Sequence, residues 1–141
     1  MFDIVRKDFK VDPDTGKVIQ EDKTETIIEY CFMTLSNLTA TEEGQKHLLG
    51  LEHKSKFIIV ESVFGMFCYF SKNTAFDFVS NIMANLACLS EGRQFMIDNK
   101  YIEAMTVQMI SKDLNKHRRK FLITCLRNLL FEYEKYQDKF E

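Results

Sequence analysis

Leu35-Ser36-Asn37-Leu38 returns as Met83-Ala84-Asn85-Leu86 and again as Leu126-Arg127-Asn128-Leu129. The asparagines are 48 and 43 residues apart. Recurrence in the forties is the size of an armadillo or HEAT helical repeat. Beyond the tetrapeptide, the first two copies stay parallel. Thr39-Ala40-Thr41-Glu42-Glu43-Gly44-Gln45-Lys46-His47-Leu48-Leu49 aligns with Ala87-Cys88-Leu89-Ser90-Glu91-Gly92-Arg93-Gln94-Phe95-Met96-Ile97. Each reads as a helix end, a break, then a short helix with Glu-Gly in its first turn. Acidic residues there suit the positive end of the helix dipole.

Working outward, the apolar residues keep helical spacing. Ile27, Ile28, Cys31, Phe32, Leu35 and Leu38 form one face of a helix starting near Thr24. Phe76, Val79, Ile82, Met83, Leu86 and Leu89 form a second after Thr74, where Thr74-x-x-Asp77 predicts a capping-box-like start. Phe121, Leu122, Cys125, Leu126, Leu129 and Leu130 form a third. A strongly apolar helix over 56–69 and a milder one over 102–110 lie between them. One such unit cannot cover its own apolar face, so several must stack. The expected fold is all-α, an armadillo/HEAT-like superhelical solenoid of about three repeats spanning residues 24–141. Residues 1–23 are expected to be a loop or small hairpin around Asp12-Pro13-Asp14-Thr15-Gly16. That stretch only superficially resembles a calcium loop: Gly16 is one place early, Lys17 takes the position that needs the glycine, and position twelve is Lys23, not Glu.

Composition narrows the functional classes. The chain has 141 residues, one Pro, five Gly, 13 Phe and 45% hydrophobic residues, which fits one helical domain with its own core. A net charge of -2 removes any global electrostatic case for nucleic acid or an anionic membrane. The longest apolar stretch, 57–70, is short for a span and contains Glu61. No signal peptide is visible, which points to the cytoplasm. Cys31, Cys68, Cys88 and Cys125 are widely spaced inside apolar patterns, as reduced core thiols are. There is no Gly-rich phosphate loop, no G-x-S-x-G and no H-E-x-x-H. The sequence therefore predicts no catalysis, no cofactor and no metal.

Two groups of residues are candidates for a binding site. Asn37, Asn85 and Asn128 occupy equivalent places on successive helices. An amide can both donate to and accept from the backbone of an extended partner, or it can equally lock one repeat to its neighbour. The importin-type Trp four residues earlier is absent, the positions being Met33, Asn81 and Thr124. The basic run Lys116-His117-Arg118-Arg119-Lys120 opens the third long helix, and Arg127 lies further along it. Arg118, Arg119 and Arg127 are expected to grip an acidic partner surface, or else to be a solvated helix end. Positive charge at a helix N-terminus opposes the dipole, at a small cost.

Asn85-Leu86-x-x-x-Ser90-Glu91-Gly92-Arg93-Gln94-Phe95, with Arg118-Arg119 and Leu126-Arg127-Asn128 after it and Lys72-Asn73-x-x-Phe76-Asp77-Phe78 before it, resembles the brain-protein-16 family of armadillo-like proteins. The resemblance covers roughly residues 25–131 of this chain. Members of that family are longer, and where they carry Arg-Asn-Cys-Cys-Phe this chain has Arg127-Asn128-Leu129-Leu130-Phe131. The resemblance implies a cytosolic folding cofactor that holds newly made eukaryotic elongation factor 2 and hands it to the cytosolic chaperonin. It implies no catalytic residue and no cofactor. The second expectation is a structural armadillo-type subunit in a larger assembly.

The third repeat lacks the short apolar helix that follows the first two. Aligned on Asn128, the positions of Phe95, Met96 and Ile97 become Asp138, Lys139 and Phe140. Solenoid ends need a polar cap or a partner. A face of Leu122, Leu126, Leu130 and Phe131 is therefore expected to be completed by another chain, through self-association or a bound partner.

Overall fold

The computed structural model describes residues 22–50, 58–69, 72–131 and 137. Among them the fold is all-helical, with no strand. The elements are α1 (Asp22–Leu38), α2 (Glu42–Leu48), α3 (Ile58–Tyr69), a 3-10 turn (Thr74–Phe76), α4 (Phe78–Leu86), α5 (Ser90–Asp98), α6 (Tyr101–Ile110) and α7 (Lys116–Leu130). The loop or hairpin expected over 1–23 lies outside the described residues except for the start of α1.

The long helices carry most of the apolar faces that the spacing predicts, although Ile27, Leu38 and Leu130 are exposed. Ile28 and Phe32 on α1, Val79, Ile82 and Leu86 on α4, and Leu122, Cys125 and Leu129 on α7 are buried. α4 packs between α1 and α7, while α3 leans on α4 and α6 joins α5 to α7. Aromatic rings fill the space between layers. Phe32 meets Phe76 at 5.4 Å, and Phe64 stacks on Tyr101 at 4.0 Å. Such pairs contribute beyond the area they bury.

The start of α4 differs from the expected capping box. Asn73 caps the 3-10 turn, its Oδ1 accepting from the Ala75 N–H at 2.9 Å. Asp77 precedes α4 without capping it with its side chain. Its carboxylate is engaged elsewhere, as described below. The outward face of α7 differs as well. Leu122 is fully buried and Leu126 packs on the core, whereas Ile123, Leu130 and Phe131 are exposed. The one-residue shift arises because α7 turns Leu122 and Leu129 toward α4.

The two Glu-Gly breaks share a single geometry. Thr41 caps α2, its hydroxyl accepting from the Gly44 N–H at 3.2 Å. A Cβ on Gly44 would overlap the Leu38 carbonyl, and one on Gly92 would overlap the equivalent Leu86 carbonyl. Each short helix thus presses its first turn onto the end of the long helix before it. The side chain after each glycine completes the joint. Gln45 Nε2 donates to the Thr39 carbonyl at 2.9 Å, and Arg93 Nη1 donates to the Ala87 and Cys88 carbonyls at 3.0 and 2.8 Å. These are carbonyls that a helix end leaves without partners of its own.

The glycines generate a matched test. Gly44→Ala and Gly92→Ala should each lose about 1–3 kcal/mol, because a backbone carbonyl cannot step aside as a side chain can. Gly65→Ala, on α3 with nothing near its missing Cβ, should gain about 0.5–1 kcal/mol from helix propensity. Urea denaturation of the three variants measures both signs. Equal effects at all three positions would contradict the close-approach account.

Candidate functional site

The asparagine ladder is real in space, and most of it is turned inward. Asn85 Nδ2 donates to the Ser36 carbonyl at 3.0 Å and to Thr39 Oγ1 at 3.2 Å. Asn128 Nδ2 reaches the Ala84 carbonyl at 3.5 Å and Cys88 Sγ at 3.7 Å. Ser36 immediately precedes Asn37, and Ala84 immediately precedes Asn85. Each amide therefore addresses the preceding long helix in the same register. Asn37, on the first of these helices, is exposed. Asn85 and Asn128 are half-buried, so an edge of each remains at the surface. Between the two roles an amide could take, the donor nitrogens of Asn85 and Asn128 are given to locking helices together.

The basic run divides residue by residue. Lys116 and Lys120 are exposed. His117 Nε2 lies 2.7 Å from Asn81 Oδ1, and its ring packs edge-on against Phe78. Arg118, expected on a partner-facing surface, is fully buried. Its Nε donates to Asp77 Oδ1 at 2.6 Å, Nη2 to the Asn73 carbonyl at 2.7 Å and Nη1 to the Phe67 carbonyl at 3.2 Å. The guanidinium lies 4.4 Å from the centre of the Phe67 ring. Burial pushes its pKa down from the ordinary value, while Asp77 pulls it back. A group held this way cannot meet a partner, and Arg118 is removed from the interaction surface. Its burial explains why a base sits at a helix N-terminus: the acid of the neighbouring helix is there to meet it.

Arg119 is also engaged inside the fold. Nη1 donates to the Met109 carbonyl at 3.0 Å and Nη2 to the Ser111 carbonyl at 3.1 Å. It closes the C-terminal end of α6, where positive charge is favoured. Arg127 is exposed on α7. Of the six sequence-predicted residues, Asn37 and Arg127 stand clear on the surface. Asn85, Asn128 and Arg119 show partial surfaces.

Sequence reasoning missed the group around Arg118. Asn115 Oδ1 caps α7 by accepting from the Arg118 N–H at 2.8 Å, while its Nδ2 donates to Asp77 Oδ2. Asn73 Nδ2 donates to Glu25 Oε1 on α1 at 3.1 Å. The available signal was an acid and a base about one repeat apart, each next to an apolar helical face.

Two of the thiols are held protonated by burial, while Cys88 is exposed and not the core thiol its spacing suggests. Burial raises the Cys125 thiol to about 12 and also raises Cys68. Thiols held protonated are poor nucleophiles. Among the described residues no group of three or more His, Cys, Asp or Glu could hold a metal ion. Nor is any helix among them long and apolar enough to cross a membrane.

These features define an all-helical domain in which two matching helix-and-break units and a further long helix are joined by buried polar contacts. The chain belongs to the family described as Domain of unknown function (DUF383), which it matches over residues 19–140. No match was found among curated proteins or solved structures.

Two outcomes follow for these residues. Arg118→Met should cost about 3–5 kcal/mol in urea denaturation, since it leaves the half-buried Asp77 without its cation and the Phe67 carbonyl without its Arg118 donor. Arg118→Lys should recover little, because an ammonium cannot span the three acceptors as the planar fork does. A loss under 1 kcal/mol, on the scale of a surface ion pair, would refute the buried-knot account. Asn85→Ala should cost about 1–3 kcal/mol. Asn128→Ala should cost less, its contacts being longer. The reverse order would show that the ladder does not lock the helices.

Proposed function

We propose that this chain is an armadillo-type helical solenoid acting as a non-catalytic protein-binding module. Its client surface is the face where Asn37, Asn85 and Asn128 follow one another on α1, α4 and α7. The observation that carries the proposal is the common register of the ladder, set by Asn85 on Ser36 and Asn128 on Ala84. One turn away on the same side stand Met33, Asn81 and Thr124, all half-buried. The ribbon they form is uncharged. With its Nδ2 committed to Ser36, Asn85 has its amide oxygen left to offer, which accepts a peptide N–H. A ribbon of acceptors and apolar flanks suits an extended polypeptide segment. The engagement of Asn85, Asn128, Arg118 and Arg119 in holding helices together supports a structural and binding use of these groups over a catalytic one.

The resemblance to the brain-protein-16 family supplies a specific client, newly made eukaryotic elongation factor 2, and a recipient, the cytosolic chaperonin, in the cytoplasm. The proposed work is that of a chaperone adaptor. Exposed Arg127, beside the ladder, would meet acidic groups of the client. A structural armadillo-type subunit is the other role compatible with the fold.

The test is titration calorimetry with purified eukaryotic elongation factor 2, native and partly unfolded. Binding should weaken at least tenfold in Asn37→Arg, with an unchanged melting temperature because Asn37 is exposed. Arg127→Glu should lower affinity and flatten its salt dependence. Absence of binding, together with a stoichiometric complex of other proteins on affinity purification, would replace the adaptor with the structural subunit.

A further inference from the structure

We propose that the cleft between the end of α3 and the loop joining α6 to α7 binds a small uncharged carboxamide. None of its lining residues belongs to the asparagine ladder, so the proposal stands apart from the client-binding role.

Gln108 supplies the first reason. It lies on α6 and is 9% exposed. A buried amide costs energy unless its donor and acceptor are both bonded. The Gln108 amide hydrogen-bonds to the Cys68 sulfur on α3, but its Oε1 is buried with no hydrogen-bond partner among the described residues. A leucine would fill the same space without that cost. Gln108 instead places an unmet acceptor at the side of a cleft of about 220 Å³. Oε1 is closed to solvent as it stands. Rotation of the side chain into the adjoining cleft brings it to a donor, and the bond given up is a weak one, to a thiol.

Size and charge narrow the ligand. Pockets that enclose a drug-sized molecule have volumes of about 300–1,000 Å³. This cleft is smaller, and suits a side chain or a fragment rather than a nucleotide cofactor. Its lining carries one cation, Lys72, and one anion, Asp113, and these face each other at 4.0 Å. Burial raises the pKa of the Cys68 thiol, which keeps it neutral. The lining as a whole is therefore uncharged. An ammonium or a carboxylate that entered would have to break the Lys72–Asp113 pair to find a counter-ion.

The other lining groups choose among neutral ligands. Ser111 adds a hydroxyl one helical turn beyond Gln108, and Val107 and Leu114 add apolar surface. A carboxamide matches this set. Its N–H donates to Gln108 Oε1 while its carbonyl accepts from the Ser111 hydroxyl. An alcohol has donor and acceptor on a single atom and cannot span two residues a turn apart. Free primary amides carry the required group, as do the asparagine and glutamine side chains of a peptide.

Nuclear magnetic resonance titration of the whole chain tests this. Propionamide should shift the backbone signals of Gln108, Ser111 and Leu114 saturably, whereas propanol, propylamine and propionate should not. Two further probes distinguish the sources. A blocked glutamine that binds more tightly than propionamide, with a blocked alanine that does not bind, assigns the site to a peptide side chain; a blocked glutamine that binds no better assigns it to free amides. Gln108→Leu should melt at or above the wild-type temperature and lose the saturable shift. Ser111→Ala, at an exposed position, should keep the wild-type melting temperature and weaken propionamide binding by about tenfold, the scale of one hydrogen bond. A wild type that gives no saturable shift overturns the proposal, as do controls that bind equally well. A Gln108→Leu chain that is destabilised also overturns it, since the amide would then be structural, and so does a Ser111→Ala chain that binds like wild type.

Discussion

The buried guanidinium of Arg118 is the constraint around which the rest is arranged. One planar group on α7 reaches the Asp77 carboxylate before α4, the carbonyl of Asn73 in the 3-10 turn and the carbonyl of Phe67 on α3. Asn73 in turn donates to Glu25 on α1. One turn residue and one arginine thereby connect the first, middle and last long helices. A hydrophobic contact could supply comparable energy, but many rotations of a smooth helix satisfy it. A planar fork with three acceptors in different directions is satisfied in far fewer. The ionic cost of burial is offset by the facing ring of Phe67 and by the carboxylate, and what results is register. The repeat-equivalent residues of Arg118 are Ile27 and Ala75, so this knot belongs to the particular molecule and not to the repeating pattern.

The repeating pattern has its own two devices. A glycine lets the first turn of a short helix lie against the last carbonyls of the long one, and an asparagine ties each long helix to the one before it. The glycine fixes the bend within a unit. The asparagine fixes the step between units. In both units the residue after the glycine, Gln45 or Arg93, supplies the donor for the freed carbonyls. Two side chains of different charge perform one task because the task needs an N–H directed at a helix end. A cationic donor gains a little more there from the dipole.

These differences mark what was legible in the sequence. Periodicity revealed the long helices almost residue by residue, since burial of Leu86 and Leu129 is a one-dimensional property that spacing records. The Glu-Gly pair was legible as a break, but its cause was not: a carbonyl six residues earlier blocks a Cβ only after the chain has folded back. Asp77 was misread as a cap for the same reason. Its local neighbours fit a capping box, and its true partner lies 41 residues away. The basic run carried the opposite error. Five neighbouring polar residues look like one surface patch, yet a helix distributes successive side chains around its axis. Lys116 and Lys120 face water, while Arg118 between them faces the core.

That redistribution changes what the recurring polar motif can mean. A polar residue placed identically in each unit has two uses, and geometry divides them by direction. Donors directed along the row of helices act between units; those directed across it act on something outside. The nitrogens of Asn85 and Asn128 lie along the row, whereas Gln45 and Arg93 bond within their own units. Of the motif residues, the uncharged Asn37 and the cationic Arg127 stand clear on the surface, near opposite ends of the ladder. On the proposed binding role, recognition would come chiefly from shape and from backbone-like amide chemistry along its length. That favours unfolded or extended segments over a folded epitope. In the proposed role, a surface of this kind would discriminate weakly among sequences and strongly among conformations.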